Sequence, residues 1–251
     1  MILRILGSGT GVPSLKRSAP SNYIKIGNKQ ILVDCGSGTL LQLEKAGLTY
    51  REIDIVCISH YHADHISDLN ALIQALKWTP GFVRKKDLIL IGPKGFREFY
   101  KNCLKPISGS PRLNTFNIII KEINKKINFK KFSIESYNTN HNDDSIAYKF
   151  IENDKTLVIS GDTDYSEGLI KFAGNSDTFV VECSCSNNNK VVGHLISKEC
   201  GEIAQKANVK KMILTHLHST SSAPSGIVKL NETKKIFKNT ILAKDLLEIS
   251  I

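Results

Sequence analysis

The sequence predicts an α/β fold in which strands and helices form layers. Strand-like segments are numerous, and helix-like segments occur in both halves of the chain. A middle stretch carries strands without helices between them, which argues against a purely doubly wound sheet. The 251 residues suit a single domain over 1–251, because no linker, short repeat or low-complexity segment interrupts them.

The first elements alternate between strand and helix. Glycine-rich breaks separate the first strands, Gly47 suits a helix end, and Pro80-Gly81 stops a later helix. The predicted strands are Ile2–Leu6, Tyr23–Ile26, Gln30–Val33, Ile53–Ile58 and Asp87–Ile91, and the predicted helices are Thr39–Ala46, Ile66–Trp78 and Lys94–Leu104. The apolar side of Leu69–Trp78 suits the core or an interface, and we favour the core.

A run of strands joined by polar turns comes next, and alternating helices and strands complete the chain. The run comprises Phe116–Glu122, Lys126–Phe129, Phe132–Thr139, Ile146–Glu152 and Thr156–Ile159. The alternating part comprises the helices Ser166–Ala173, Lys198–Ala207 and Pro224–Ile236 and the strands Thr178–Glu182, Lys211–Thr215 and Thr240–Leu242. Ser166 is expected to cap its helix.

Composition excludes several classes of protein. Hydrophobic residues make up 41% and charged residues 23%, which are globular proportions rather than those of a disordered chain. Apolar runs such as Val56–Ile58 are far shorter than the roughly 20 residues of a membrane-spanning helix. The N-terminus lacks the pattern of a secretory signal, so we expect a cytoplasmic protein with no membrane partner. The six cysteines are expected to be free thiols, with Cys183 and Cys185 at the end of a buried strand.

The formal net charge of +10 leaves two interpretations open. It suits a polyanionic partner such as RNA. It also suits a compositional bias, because the lysines are scattered along the chain rather than gathered in one block.

The segment His60-Tyr61-His62-Ala63-Asp64-His65 carries the strongest chemical signal. It directly follows a predicted strand and precedes a predicted helix. Imidazole nitrogen and carboxylate oxygen bind Zn²⁺ and similar divalent ions, usually with about four or five ligands. Four such groups within six residues, with more elsewhere, predict two divalent ions. Zn²⁺ is the ion we expect, with Mn²⁺ or Fe²⁺ as alternatives.

Further ligand-type residues follow other predicted strands. His141 comes after Phe132–Thr139, and His216 and His218 come after Lys211–Thr215. Because strand ends gather at one edge of an α/β sheet, these side chains are expected near the motif. Only one of His216 and His218 is needed as a ligand.

Asp162 stands in a glycine turn after Thr156–Ile159. A carboxylate can bridge two cations roughly 3.5–4 Å apart, whereas imidazole cannot. Asp164 is a rival for this role, but its neighbours Tyr165 and Ser166 indicate the start of a helix instead.

The HxHxDH motif, followed by single His, Asp and His residues, resembles the metallo-β-lactamase superfamily. Three segments are similar to ribonuclease Z and its short relatives, namely Leu6–Pro13, Ser160–Thr163, and Gly193-His194-Leu195 leading on to Leu214–His216. The resemblance spans nearly the whole chain. It implies a four-layer αβ/βα sandwich with the site at one edge, and a homodimer.

The resemblance also implies roles for individual residues. One metal ion would be held by His60, His62 and His141, and the other by Asp64, His65 and His216. Asp162 would bridge the two ions. His194 matches the family histidine that acts on the scissile phosphate.

Two features depart from ribonuclease Z. In that family a long arm that grips transfer RNA lies between the ligands matching His141 and Asp162, and here only Asn142–Gly161 separate them. The Arg-Tyr pair that follows the last ligand is replaced by Leu217–Thr220. These losses weigh against transfer-RNA processing and leave the metal chemistry intact.

The hypothesis is a binuclear metal hydrolase, foremost a phosphodiesterase. Two cations lower the pKa of a bridging water toward about 7, and the hydroxide attacks phosphorus. Asp64 accepts a proton while ligating. His194 stabilises the developing charge and protonates the leaving oxygen.

The favoured substrate is a small phosphodiester, such as a cyclic nucleotide, or a short nucleic-acid end. The alternatives are an RNA 3′-processing endonuclease, a thioester, lactone or sulfate-ester hydrolase of the same superfamily, and a non-enzymatic metal- or nucleic-acid-binding module. Loops such as Thr79–Lys86 and Ile107–Thr115 are expected to set the substrate, but they carry no readable motif.

Overall fold

The computed structural model describes residues 1–107, 115–218 and 226–251. Its strands are β1 (Ile2–Gly7), β2 (Ser21–Ile26), β3 (Lys29–Val33), β4 (Ile55–Cys57), β5 (Leu88–Gly92), β6 (Ile118–Glu122), β7 (Lys126–Asn128), β8 (Ser133–Asn138), β9 (Ile146–Glu152), β10 (Lys155–Ile159), β11 (Thr178–Glu182), β12 (Met212–Thr215), β13 (Thr240–Leu242) and β14 (Glu248–Ser250). Its helices are α1 (Thr39–Lys45), α2 (Ala63–Ile66), α3 (Leu69–Trp78), α4 (Phe96–Phe99), α5 (Lys105–Ile107), α6 (Glu167–Ala173), α7 (Ser197–Lys206) and α8 (Gly226–Lys234). A 3₁₀ turn lies at Tyr50–Glu52, and a π-helical turn at Tyr100–Leu104 joins α4 to α5.

These strands form two sheets with the same internal plan. The first has the order β14-β1-β2-β3-β4-β5-β6 and the second β13-β12-β11-β10-β9-β8-β7. In the first, pairing is antiparallel from β14 to β3 and parallel from β3 to β6. In the second, pairing is antiparallel from β7 to β10 and parallel from β10 to β13. The prediction of a mixed rather than doubly wound arrangement is therefore confirmed.

Three hydrophobic cores separate four layers. One core lies between the sheets and takes side chains from both, such as Ile55 and Phe150. A second packs the first sheet against its helices, as with Val56 against Leu72 of α3. The third packs the second sheet against α6 and α7. Successive β4 residues alternate between the first two cores because side chains alternate across a strand. The predicted layered α/β sandwich is confirmed.

Several details differ from the sequence-based expectations. The predicted helix Ile66–Trp78 begins only at Leu69, because Ile66 ends the separate helix α2 and the chain turns at Asp68. The N–H of Asp68 donates to Cys35 O, and its carboxylate accepts from Leu40 N. Strand β14 was not predicted. Only its central residue is buried, so the segment lacks a recognisable apolar pattern.

Other expectations are confirmed. The apolar residues of α3 lie in the core, and all six cysteines are free thiols. In the described ranges, no helix combines the length and the apolar character needed to cross a membrane. Parts of three predicted segments lie outside the described residues, namely 108–114 of the loop Ile107–Thr115, 219–220 of Leu217–Thr220, and 224–225 of the helix Pro224–Ile236.

Tyr148 ties the two sheets together beneath the strand end that carries the motif. Its buried hydroxyl donates to the carbonyl oxygen of Ile58 at 2.8 Å. We expect Tyr148→Phe to lower the free energy of unfolding by about 1–3 kcal/mol, because a buried carbonyl loses its donor. Urea denaturation at constant metal concentration measures this change. Tyr137→Phe is the control, since its hydroxyl makes only a 3.4 Å contact with Ser166. Equal effects of the two substitutions would contradict the assignment.

Candidate metal centre

The predicted ligands gather at one edge of the sandwich. His60 follows β4 of the first sheet, whereas His141, Asp162 and His216 follow β8, β10 and β12 of the second sheet. His216 has a left-handed backbone with φ of 57°, a conformation uncommon for a residue with a side chain. Residues far apart in the chain thus meet where strands of both sheets end.

The motif turns from β4 directly into α2. His62 has an extended backbone just before this helix, so Asp64 and His65 lie in the helical turn itself. A Cβ atom on Gly36 would lie 1.9 Å from the carbonyl oxygen of Asp64. Only glycine therefore lets the segment after β3 approach the motif so closely.

The first ligand group consists of His60, His62, His141 and Asp162. Nδ1 of His62 lies 3.0 Å from Nε2 of His60 and 3.2 Å from Nε2 of His141. Oδ2 of Asp162 lies 3.8 Å and 3.9 Å from those same two Nε2 atoms. Zn–N bonds of about 2.0–2.1 Å separate tetrahedral ligand atoms by roughly 3.3 Å, so this spacing suits a single ion.

The second ligand group consists of Asp64, His65 and His216. Oδ2 of Asp64 lies 3.4 Å from Nε2 of His216 and 3.7 Å from Nε2 of His65. Asp162 also approaches this group, because its Oδ1 lies 3.4 Å and 3.5 Å from the same nitrogens. The two oxygens of Asp162 therefore face different ligand groups, as a bridging carboxylate requires.

Asp164, the rival for the bridging role, is engaged elsewhere. Its carboxylate accepts from Nζ of Lys190 at 2.6 Å and from the backbone N–H of Gly193 at 3.0 Å. Ser166 caps α6 as predicted, accepting from the N–H of Leu169 at 3.1 Å.

Two buried atoms at the centre lack a partner. Nε2 of His65 and Oδ1 of Asp162 form no hydrogen bond with any described residue. His65 donates from Nδ1 to Asp34, so a neutral ring presents a lone pair at Nε2. Such unpaired groups cost about 1–3 kcal/mol each, and a divalent cation between them would satisfy both. The residues present therefore fit a metal site.

Further hydrogen bonds orient two other histidine rings so that a nitrogen lone pair of each points toward the cluster. Ser59 Oγ donates to Asp34 at 3.0 Å, so it accepts from Nδ1–H of His60 at 3.0 Å. Nδ1–H of His141 donates to the carbonyl oxygen of Gly193 at 2.9 Å. The Nε2 atoms of both rings are thereby left as acceptors facing the cluster, which is what metal ligation requires.

Glu182 organises two further histidines. Ser184 Oγ donates to Glu182 Oε2 at 2.8 Å and accepts from Nδ1–H of His216 at 2.6 Å. The other oxygen of Glu182 accepts from Nδ1 of His194 at 2.8 Å. Burial lowers the pKa of His194, but this hydrogen bond and the charge of Glu182 raise it above its usual value.

The pKa values of two candidate ligands, His60 and Asp64, suit metal binding, whereas His65 would have to release a proton to bind a cation. Burial, together with the charge of His65, lowers the pKa of His60 to about 2, so this ring is neutral. Burial raises the pKa of Asp64, but contact with His216 and the charge of His65 lower it to about 2. The pKa of His65 lies well above its usual value, because Asp162 and Asp34 outweigh its burial. The carboxylates around His65 therefore favour positive charge at this ring, and a bound cation would take the place of its proton.

Sequence reasoning missed the residues behind the ligands. Asp34 follows β3, Glu182 ends β11 and Ser184 lies just beyond it. Their position at strand ends was the available signal, but nothing local in the sequence pairs them with their histidines. His218, left open as a ligand, belongs to neither group and instead contacts Thr10 Oγ1 at 3.3 Å.

Comparisons with known proteins give a family and relatives. A family model described as "Anti-Pycsar protein Apyc1" matches residues 1–234. Ribonuclease Z from Archaeoglobus fulgidus is 26% identical over 305 aligned positions, which cover 99% of this chain and 97% of that protein. Ribonuclease Z from Picrophilus torridus is 28% identical over 302 positions, covering 99% and 95%.

Solved structures confirm the metallo-β-lactamase fold. The metallo-β-lactamase fold protein YhfI from Bacillus subtilis superimposes with a TM-score of 0.85 at 24% identity, covering 99% of this chain and 98% of that one. Human short-form tRNase Z gives 0.82 at 22% identity, covering 100% and 99%. A diphosphatase of the PhnP family gives 0.75 at 19% identity, covering 100% and 97%.

The position of Asp162 between the groups predicts how metal binding responds to substitution. We expect Asp162→Ala to retain at most about half of the metal that the unchanged protein holds after reconstitution, because both groups lose a ligand. Elemental analysis of the desalted protein measures this. Asp164→Ala is the matched control and should keep its metal. Full metal content in Asp162→Ala, or equal loss in the control, would exclude a bridging role.

Proposed function

The chain belongs to the Anti-Pycsar protein Apyc1 family, and we propose that it is a metal-dependent hydrolase that cleaves small phosphodiesters. One observation carries this proposal. The imidazole of His194, hydrogen-bonded to Glu182, lies beside a cluster that offers ligands for two divalent ions. The names of the ribonuclease Z relatives support cleavage of a phosphodiester bond.

The proposed ligands divide between two metal ions in the same way as the two ligand groups described above. His60, His62 and His141 would hold one ion, Asp64, His65 and His216 the other, with Asp162 shared. Divalent cations held there supply Lewis-acid chemistry that makes phosphorus more electrophilic and water more acidic. We propose Zn²⁺ as the resident ion and a cytoplasmic homodimer as the working form.

Asp64 is placed to accept a proton. Its side chain is partly exposed and lines a cavity of about 350 Å³ that opens onto the cluster. It is ionised at neutral pH, so its oxygen can accept the proton that the attacking water loses. Gly11 lies beside it in the same cavity wall.

His194 is placed to give a proton. Its Nδ1 is held by Glu182, which leaves Nε2 to act on the substrate. The ring lines the same cavity, and its Nδ1 lies 4.0 Å from Asp162 Oδ2, so the imidazole stands directly beside the candidate ligands. Its raised pKa increases the protonated fraction that can neutralise the leaving oxygen.

The geometry favours a small substrate. Between His141 and Asp162 the chain forms only the hairpin of β9 and β10. The alignment with the Archaeoglobus relative has 305 positions for a chain of 251 residues, so at least 54 positions face gaps in this chain. The cavity volume lies at the lower end of the roughly 300–1,000 Å³ typical of small-molecule sites.

RNA 3′-processing is the second candidate. The ribonuclease Z relatives match over almost the full chain, and the net charge of +10 suits a polyanion. This function would require a partner or another surface to grip RNA in place of the arm.

Hydrolysis of bis(4-nitrophenyl) phosphate by the metal-reconstituted protein tests the proposal. We expect metal-dependent turnover that is lost in His62→Ala, because the first group then lacks a ligand. Lys198→Ala, an exposed substitution on α7, is the matched control.

Two outcomes would redirect the assignment. Absence of turnover in protein that holds its metal would contradict a phosphodiesterase and favour thioester, lactone or sulfate-ester substrates. Cleavage of a transfer-RNA precursor, with binding that weakens steeply with salt, would favour the RNA function instead.

Glu182 and His194 predict a specific pH dependence. We expect His194→Ala to keep its metal and lose about 10²–10⁴-fold in kcat. In Glu182→Gln the pKa of His194 falls, because the carboxylate that raises it is gone. A group acting as an acid is lost as pH rises through its pKa, so the alkaline limb of the pH–rate profile should move to lower pH. An unshifted limb, or normal turnover by His194→Ala, would remove His194 from the mechanism.

A further inference from the structure

The cavity beside the cluster has a wall that the ligands do not form. Besides the ligand-group residues and Gly11, Ser184 and His194, it is lined by Thr10, Val12, Cys185, Val191 and His218. Val12 and Val191 are 41% and 50% exposed, so they form apolar edges of the opening. Nothing in the mechanism above uses these residues.

His218 is held in this wall by the segment around Thr10. Its Nδ1 contacts Thr10 Oγ1 at 3.3 Å, and the N–H of the preceding Leu217 donates to the carbonyl oxygen of Ser8 at 3.0 Å. Thr10 itself is buried, and its hydroxyl also accepts from the N–H of Val12 at 3.2 Å. Two segments that are distant in sequence therefore form one continuous surface.

The supporting segment is itself anchored. The carboxylate of Asp245 accepts from the N–H and hydroxyl of Ser8 at 3.0 Å and 2.7 Å, and from the N–H of Ser18 at 2.7 Å. Arg17 donates to Ser8 Oγ and to the carbonyl oxygen of Ala243. Because its partners are fixed before substrate arrives, the His218 ring is preorganised for binding.

We propose that His218, supported by Thr10, is a specificity-determining residue that binds the nucleoside part of the substrate. This inference rests on the proposed phosphodiesterase function. A nucleobase or sugar offers hydrogen-bonding groups, and a base also offers flat apolar faces. The imidazole of His218 supplies the polar partner, and Val12 and Val191 supply the apolar contacts. The phosphate would then lie over the ligand groups lining the same cavity.

The role differs from that of His216, two residues earlier. His216 belongs to the second ligand group and is held by Ser184. His218 belongs to no ligand group formed by the described residues. Replacing it should therefore leave metal content and phosphate binding unchanged while weakening recognition of the nucleoside.

Titration calorimetry of the metal-reconstituted protein tests this separation without relying on turnover. The probes are uridine and adenosine 5′-monophosphate, with inorganic phosphate as the reference. We expect His218→Ala to raise the Kd of at least one nucleotide about 3- to 10-fold, because one hydrogen bond to the nucleoside is lost. The Kd of phosphate should stay unchanged. Thr10→Val should give a smaller change in the same direction, and His218→Asn should lose less than His218→Ala.

Lys198→Ala is the control for this experiment. It should alter the Kd of neither nucleotide nor phosphate, and the metal content should be equal in all variants. The inference is wrong if His218→Ala raises the Kd of phosphate as much as that of the nucleotides, or changes neither Kd. It is also wrong if the unchanged protein binds nucleotides no more tightly than phosphate. Hydrolysis of bis(4-nitrophenyl) phosphate, measured in parallel, reports separately on the proposed function, because this diester contains no nucleoside.

Discussion

The buried carboxylate of Asp162 is the constraint around which this edge of the molecule is arranged. Its oxygens lie within 4.0 Å of ring nitrogens of His60, His65, His141, His194 and His216. Burial alone would raise the pKa of Asp162, but the charges of His216 and His65 hold it well below its usual range. An ionised carboxylate without solvent requires positive charge close by. The same requirement that stabilises this aspartate makes the surrounding cluster suited to cations.

Two further carboxylates orient the rings that surround Asp162. Asp34 holds His65 directly and His60 through Ser59, whereas Glu182 holds His194 directly and His216 through Ser184. Each carboxylate thus controls one ring by contact and a second through a serine hydroxyl. This arrangement selects which ring nitrogen carries the proton and restricts rotation, so the inward nitrogens are positioned in advance. The candidate ligands and their supports form one connected polar network.

The sequence was most informative where chemistry is local. The motif around His62 concentrates ligand types within one turn, and His141, Asp162 and His216 stand just past recognisable strands. The supports were not predictable, because Asp34 and His65 are 31 residues apart and Ser184 and His216 are 32 apart. Their pairing depends on how the sheets assemble. The split between α2 and α3 escaped prediction for the same reason, since it follows from contacts of Asp68 with the segment after β3.

The site also joins the two halves of the fold. The motif and Asp34 come from the first sheet, whereas His141, Asp162 and His216 come from the second. Each ligand group contains residues from both sheets, so neither sheet alone could complete either group. A cation bound to such a group links the sheets as a cross-link does, and its binding free energy stabilises the folded arrangement. Tyr148 of β9 makes a second link between the sheets nearby, through its hydrogen bond to the carbonyl oxygen of Ile58. Stability and ligand geometry therefore depend on the same junction between the sheets.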